Sequence, residues 1–238
     1  MYDIWHDSDA KKNFQNVLDR NTLRTLFDLA DDNQFQTLHG FIKTGKESNV
    51  AVAETEDGDY RAVKIYMTEA GNYEAKETYL MNDPRFQSIG NSQPAIIEAW
   101  CSKEFKNLKR ATRAGIPAPE PYGFQDNVLI MEFIGDTRHP APRMVDVSFE
   151  TIDPVIDMII DHVRTLWQDE DMVHGDLSPF NILWHEQPYL IDFSQAILTG
   201  HPLANELLER DIENLCDYLE RQYNTTYEAA TLLDQIRD

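Results

Sequence analysis

Three side chains in the last third of the sequence have the types and spacing for one kind of chemistry. Asp176 stands in Val173-His174-Gly175-Asp176-Leu177-Ser178, Asn181 follows five residues later, and Asp192 lies eleven residues beyond that in Ile191-Asp192-Phe193-Ser194. Phosphoryl transfer asks a protein mainly to position groups and neutralise charge. A loop carboxylate such as Asp176 orients a hydroxyl or a water and takes its proton. The Asn181 carbonyl oxygen and the Asp192 carboxylate then hold Mg²⁺. Asp192 is the stronger of these two ligands, because Mg²⁺ favours one or two carboxylates completed by waters and phosphate oxygens. Either an Asp or an Asn alone in a loop is a turn former; the joint spacing carries the argument.

A second group lies upstream. In Tyr60-Arg61-Ala62-Val63-Lys64-Ile65-Tyr66 the lysine sits in an alternating strand, where it contacts the α- and β-phosphates of a nucleotide and is held by a carboxylate from a later helix. A helix over 99–114 offers Glu104 for that task, with Glu98 and a solvent-facing Glu104 as the competing readings. The turn before the strand, Lys43-Thr44-Gly45-Lys46-Glu47-Ser48, is a candidate phosphate loop. Gly45 would let backbone N–H groups approach, and Thr44, Lys46 and Ser48 would add donors. It matches neither of the common glycine-rich phosphate motifs, so a plain hairpin turn competes. A buried strand over 127–133 runs into Ile134-Gly135, where backbone groups of Glu132 and Ile134 can meet an adenine edge.

The elements that must carry these groups follow from periodicity. Apolar residues between 10 and 39 recur every three or four positions, which predicts two or three short packing helices. Residues 40–54 read as strand, polar turn and strand. Residues 67–97 are polar and poorly periodic and are expected to form a mobile loop, with Ser92, then Ser88, as self-phosphorylation candidates. Residues 115–121 are extended, because repeated X-Pro steps exclude helix. An amphipathic helix over 154–168 leads into the Asp176 loop. Short strands at 182–184 and 189–191 flank Glu186-Gln187-Pro188, and two helices, over 203–223 and 227–237, end the chain.

Composition sets outer bounds. A chain of 238 residues can bury one sizeable core or two small lobes. A hydrophobic content of 42 % argues against disorder, and no apolar run reaches the ~18 residues a membrane span needs. Residues 1–12 lack the apolar core of a secretory signal, so a cytoplasmic location is expected. Cys101 and Cys216 are too few and too far apart for a disulfide framework or a zinc site. The net charge of -21 repels a phosphate backbone and argues against generic nucleic-acid binding.

Several stretches together resemble the RIO family of atypical protein kinases, Rio1 type: Thr44-Gly45-Lys46-Glu47-Ser48-Asn49-Val50, Asn82-Asp83-Pro84-Arg85-Phe86, Lys103-Glu104-Phe105-Lys106-Asn107-Leu108, Met131-Glu132-Phe133-Ile134-Gly135 and the two acid motifs. Asp83-Pro84-Arg85-Phe86 points to the Rio1 rather than the Rio2 type, as does a chain start too short for a winged-helix domain. The resemblance implies an α+β fold: a trimmed bilobal kinase with an antiparallel N-lobe sheet plus helices, a mainly helical C-lobe, and neither activation segment nor peptide-docking helices. It implies one domain over 1–238, with N-terminal helices at 1–40, an N-lobe at 41–133 and a C-lobe at 134–238. ATP and Mg²⁺, with Mn²⁺ as a substitute, are the implied cofactors, and a precursor of the small ribosomal subunit is the implied partner. Asp176 becomes the catalytic acceptor, Asn181 and Asp192 the metal ligands, and Lys64, Glu132 and Ile134 the ATP contacts. Family members are also held to act as ATPases in which the residue matching Asp192 accepts a phosphoryl group. Lys43, Ser48, Ala51 and Pro179-Phe180 depart from the family pattern without removing a charged catalytic group. Two alternatives stand beside this reading: a small-molecule kinase of the aminoglycoside or choline phosphotransferase sort, and an ATP-gated assembly factor whose turnover serves only its release.

Overall fold

The computed structural model describes residues 4–68, 79–80, 82–86, 89–90 and 92–238. The chain divides into two compact units, one from Met1–Leu80, Ser88–Phe105 and Glu120–Pro140, the other from Met81–Gln87, Lys106–Pro119 and Ala141–Asp238.

In the first unit, helices α1 (Ser8–Val17) and α2 (Arg20–Asp31) both begin on an aspartate. Asp7 Oδ1 accepts the amides of Asp9 and Ala10 at 2.9 and 2.8 Å, and Asp19 Oδ1 accepts those of Asn21 and Thr22 at 2.8 and 3.0 Å. Such caps satisfy N–H groups that have no partner inside the helix, each cap being worth about 1 kcal/mol. A third helix does not follow. Phe35 and Leu38, though helically spaced from the preceding apolar residues, lead into and lie in β1 (Thr37–Lys43), which pairs with β2 (Ser48–Glu54). Trp5 also bridges to Leu38, so pairing on both sides outweighs local propensity.

With β3 (Tyr60–Tyr66), β4 (Pro121–Gln125) and β5 (Val128–Glu132) these strands form an antiparallel sheet in the order β1-β2-β3-β5-β4. β4 was hidden by its proline. Pro121 is tolerated there because it opens an edge strand, where a missing N–H costs no ladder bond. Side chains alternate across a strand, so Val63 and Ile65 join Phe14, Leu26, Leu29 and Phe35 in the core beneath α1 and α2, and Lys64 is turned to the other face. Helix α3 (Gln93–Arg113) starts six residues before the expected 99. Pro94 is compatible with a first turn, and Ile96 and Ile97 are buried. Residues 93–97 are therefore helical and not part of a loop. A short ribbon, β6 (Gly135–Asp136) with β7 (His139–Pro140), completes the unit.

The second unit holds a 3₁₀ turn at Pro84–Phe86, again inside the stretch expected to be a loop. Helix α4 (Asp153–Gln168) buries Val155, Ile156, Ile159, Ile160, Val163 and Leu166 along one face. Strand β8 (Met172–Val173) pairs with β11 (Ile197–Leu198), and β9 (Ile182–His185) forms a hairpin with β10 (Gln187–Leu190). That hairpin is tighter than the sequence suggested. Gln187 and Pro188 belong to β10, and Glu186, at φ 64°, makes the turn. Helix α5 (Ala204–Tyr223) stops at Asn224, which takes the left-handed conformation common after a helix end, and α6 (Ala229–Arg237) follows. Among the described residues no helix is long and apolar enough to cross a membrane.

Candidate active site

The first unit carries a buried ion pair. Lys64 Nζ lies 2.7 Å from Glu104 Oε1, and the two side chains are 4 % and 0 % exposed. Register sets this up: Lys64 sits between Val50 on β2 and Leu129 on β5, in the middle of the sheet. The Tyr66 hydroxyl donates to Glu104 Oε2, and the Lys64 ammonium lies 5.2 Å from the Tyr66 ring centroid. Glu98, the competing partner, is exposed.

Thr44, Gly45 and Lys46 are exposed in the turn between β1 and β2, and Ser48, half-buried, is the first residue of β2. The Gly45 N–H donates to the Asn49 side-chain oxygen at 3.2 Å. A Cβ at Gly45 would come 3.1 Å from the Ser48 carbonyl oxygen, so a side chain there would have to push that carbonyl back by a few tenths of an ångström. Asn49, buried and bonded through its amide to Met67 Sδ at 3.1 Å, organises this loop and was missed from sequence. Glu132 ends β5, where its N–H donates to the Glu120 carbonyl at 2.8 Å. Ile134 is buried two residues beyond the strand end.

In the second unit Asp176 and Asn181 meet. The Asn181 amide nitrogen donates to Asp176 Oδ2 at 3.0 Å and to the Asp176 carbonyl at 2.8 Å. Both N–H donors being spent on Asp176, the atom Asn181 has to offer a cation is its carbonyl oxygen. Asp192 is brought alongside by the main chain, since Ile191 N donates to the Asn181 carbonyl at 3.0 Å. Its backbone is left-handed at φ 66°, and Oδ1 accepts from Ser194 Oγ at 2.7 Å. His174 links the two acid loops. Its Nε2 faces the Ile191 carbonyl at 3.1 Å and its Nδ1 accepts the Asp176 amide at 3.3 Å, which assigns the neutral Nε2–H tautomer. Gly175 has φ 76°, and a Cβ there would meet the Gln195 carbonyl oxygen at 3.1 Å, so only glycine fits this step.

These donors suit Mg²⁺. An amide oxygen and a carboxylate are hard oxygen ligands, and Mg²⁺ is ordinarily held by one or two carboxylates with substrate phosphates completing the octahedron. Among the described residues no three His, Cys, Asp or Glu side chains converge as a self-sufficient metal cage.

One acid escaped the sequence reading. Asp211 of α5 is 1 % exposed, and its two oxygens accept the Gly175 and Leu177 amides at 2.7 and 2.9 Å. It fixes the backbone on both sides of Asp176. Burial pushes its carboxyl up to about 7 from 3.8, against the pull of those two N–H groups and of Arg210. A carboxyl raised in this way holds a proton in the folded chain that the unfolded chain has already released. This group's contribution to stability is therefore fully present below about pH 4, falls as pH rises toward 7, and is flat above. Asp211→Asn, which does not titrate, should flatten that part of the profile. Melting curves at about pH 5 and pH 8 test it, and parallel pH shifts in parent and variant would rule it out.

The model of the RIO domain matches residues 49–232. A RIO-type serine/threonine-protein kinase Rio1 of Haloferax volcanii is 38 % identical over 91 % of this chain and 74 % of its own length, and one of Methanocaldococcus jannaschii is 38 % identical over 89 % and 72 %. The human serine/threonine-protein kinase RIO1 is 34 % identical over all of this chain, which spans 43 % of its length. In fold, the Rio2 kinase of Chaetomium thermophilum matches with a TM-score of 0.71 at 20 % identity, over 91 % of this chain and 69 % of the other. The chain thus belongs to the RIO family and is an atypical serine/threonine protein kinase. Within that family it is of the Rio1 type.

Proposed function

We propose that the chain binds ATP with Mg²⁺, Mn²⁺ serving as a substitute, and transfers the γ-phosphoryl group to a serine or threonine hydroxyl, its own included, or to water. The observation that best supports this is the commitment of both Asn181 donors to Asp176, which fixes a proton acceptor and a cation-binding oxygen in one rigid pair. Asp176 takes the proton of the attacking O–H as its oxygen bonds to the γ-phosphorus and the bond to the bridging oxygen breaks, leaving ADP. Lys64, held by Glu104, steadies the α- and β-phosphates, Thr44, Gly45, Lys46 and Ser48 cover them, and backbone groups at Glu132 and Ile134 meet the adenine. Asn181 and Asp192 are the residues that would hold Mg²⁺, which when bound would neutralise charge on the phosphates.

The physiological setting we assign is cytoplasmic maturation of the small ribosomal subunit, with turnover also serving release from the precursor particle. A net charge of -21 favours docking through protein over nucleic acid. A solved relative of this fold, the Rio2 kinase of Chaetomium thermophilum, is described as an ADP/Mg²⁺-phosphoaspartate complex, at a TM-score of 0.65 and 20 % identity over 88 % of this chain and 64 % of that one. By analogy, Asp192 is the residue here that would carry such a group.

Incubation with γ-labelled ATP and Mg²⁺ tests the reading. Label is expected as free phosphate, as hydroxylamine-sensitive label on Asp192, and as stable phosphoserine at Ser92. Ser92 is exposed, and its carbonyl accepts the Ile96 amide at 3.1 Å at the head of α3, where a phosphate would meet the helix N-terminus. Ser88 lies outside the described residues. A folded chain that releases no phosphate and takes up no label would refute the proposal.

A further inference from the structure

Asp192 has an unfavourable backbone. A non-glycine residue in the left-handed region is uncommon, and such a conformation persists only where its surroundings over-determine it. Ahead of Asp192, His174 faces the Ile191 carbonyl. Behind it, a side chain of α3 spans the turn: the Asn107 amide nitrogen donates to both the Phe193 and Ala196 carbonyls, at 3.0 and 2.9 Å. Asn107 is fully buried on α3, and nothing in the reaction as drawn uses it.

An asparagine can present either end of its amide, and here the choice is made by a third residue. Arg85 Nη1 donates to Asn107 Oδ1 at 2.9 Å, which requires the oxygen on that side and turns the NH₂ toward the two carbonyls. Arg85 is itself locked. Its Nε and Nη2 fork onto the Asp83 oxygens at 2.9 and 2.6 Å, and Asp83 is 1 % exposed at its side chain. A guanidinium can serve a carboxylate with one edge and an amide oxygen with its remaining nitrogen, whereas an ammonium offers no such fork.

From this geometry we infer that Asn107, oriented by Arg85, is a positioning residue for the metal-binding carboxylate: it holds the 193–196 turn so that Asp192 keeps its left-handed backbone and meets the cation without rearrangement. The short Asp83–Arg85 stretch, which has no chemistry of its own, thereby sets the metal affinity of an acid more than a hundred positions away in sequence. Groups that orient a metal ligand from behind typically change metal affinity by about 10- to 100-fold when removed.

The inference rests on the proposed role of Asp192, so the test carries Asp192→Ala as a control. Calorimetric titration of ADP at a series of Mg²⁺ concentrations gives the apparent Mg²⁺ affinity without requiring turnover, and a melting curve without Mg²⁺ or nucleotide reports the fold separately. Asn107→Ala should weaken Mg²⁺ about 10- to 100-fold while Mg²⁺-free ADP binding stays as in the parent. Arg85→Lys keeps the pairing with Asp83 and loses the reach to Asn107, so it should lower Mg²⁺ affinity in the same direction with the melting temperature held. That variant decides the matter if Asn107→Ala does not fold. An Arg85→Lys protein with the parent's Mg²⁺ affinity, while Asp192→Ala has lost it, would overturn the inference. If Asp192→Ala keeps its Mg²⁺ dependence, the role of Asp192 fails, and the inference with it.

Discussion

Asp176→Ala is expected to slow ATP turnover by about 10²- to 10⁴-fold, the usual worth of a positioned general base, while metal-dependent nucleotide affinity stays close to the parent's. The expectation follows from the side on which Asn181 is tied. Its NH₂ is bonded to Asp176, and its carbonyl oxygen is the end left for a cation. Removing the Asp176 carboxylate takes away the proton acceptor and one of the two bonds that hold that amide. The bond to the Asp176 backbone carbonyl remains, so Asn181 keeps its orientation. Single-turnover kinetics at saturating Mg-ATP measures the chemical step apart from binding. A loss of less than about tenfold would show that Asp176 is not the base.

A comparably large effect, on stability, is expected at the Lys64–Glu104 ion pair. Glu104→Ala should cost about 3–5 kcal/mol, because it removes one member of a buried ion pair whose lysine is 4 % exposed. Replacing both members with apolar residues, Lys64→Met with Glu104→Leu, should restore much of that stability. A residual loss of about 1–3 kcal/mol is expected because the bond from the Tyr66 hydroxyl to Glu104 is lost. The double variant should nonetheless have no turnover. Stability recovered without activity would show that the pair is kept for the phosphates and not for the fold. Urea unfolding gives both numbers, and a Glu104→Ala loss below about 1 kcal/mol, the scale of an exposed ion pair, would contradict the picture.

The parts of this site that were legible in the sequence are those whose spacing is dictated by short local structure. The lysine of β3 shows as a charge in an alternating strand, and Asp176, Asn181 and Asp192 lie on two tight loops joined by one hairpin. Its supports were harder to see because they come from helices. Asp211 falls in the run Leu207, Leu208, Asp211, Ile212, Leu215, all buried, and Asn107 falls among Glu104, Leu108 and Ala111, also buried. In each case a polar residue occupies an inward position of an amphipathic helix, which is itself a signal, since a buried polar group must find partners. What no periodicity reveals is which loop supplies those partners. The early start of α3 and the strand at Pro121 were missed for a related reason. Proline argues against regular structure in general, yet it fits the first turn of a helix and the first residue of an edge strand. Leu38 shows the opposite error, a helical spacing overridden by pairing with Ala53 on β2.

The division of labour between the two acids is tested most directly by one calorimetric experiment, ADP titrated into Asp176→Ala and Asp192→Ala with and without Mg²⁺. The expected result is that Asp176→Ala keeps the gain in affinity that Mg²⁺ brings, whereas Asp192→Ala binds ADP equally in its presence and absence. An Asp176→Ala protein that has lost the Mg²⁺-dependent gain, beside an Asp192→Ala protein that keeps it, would contradict the assignment.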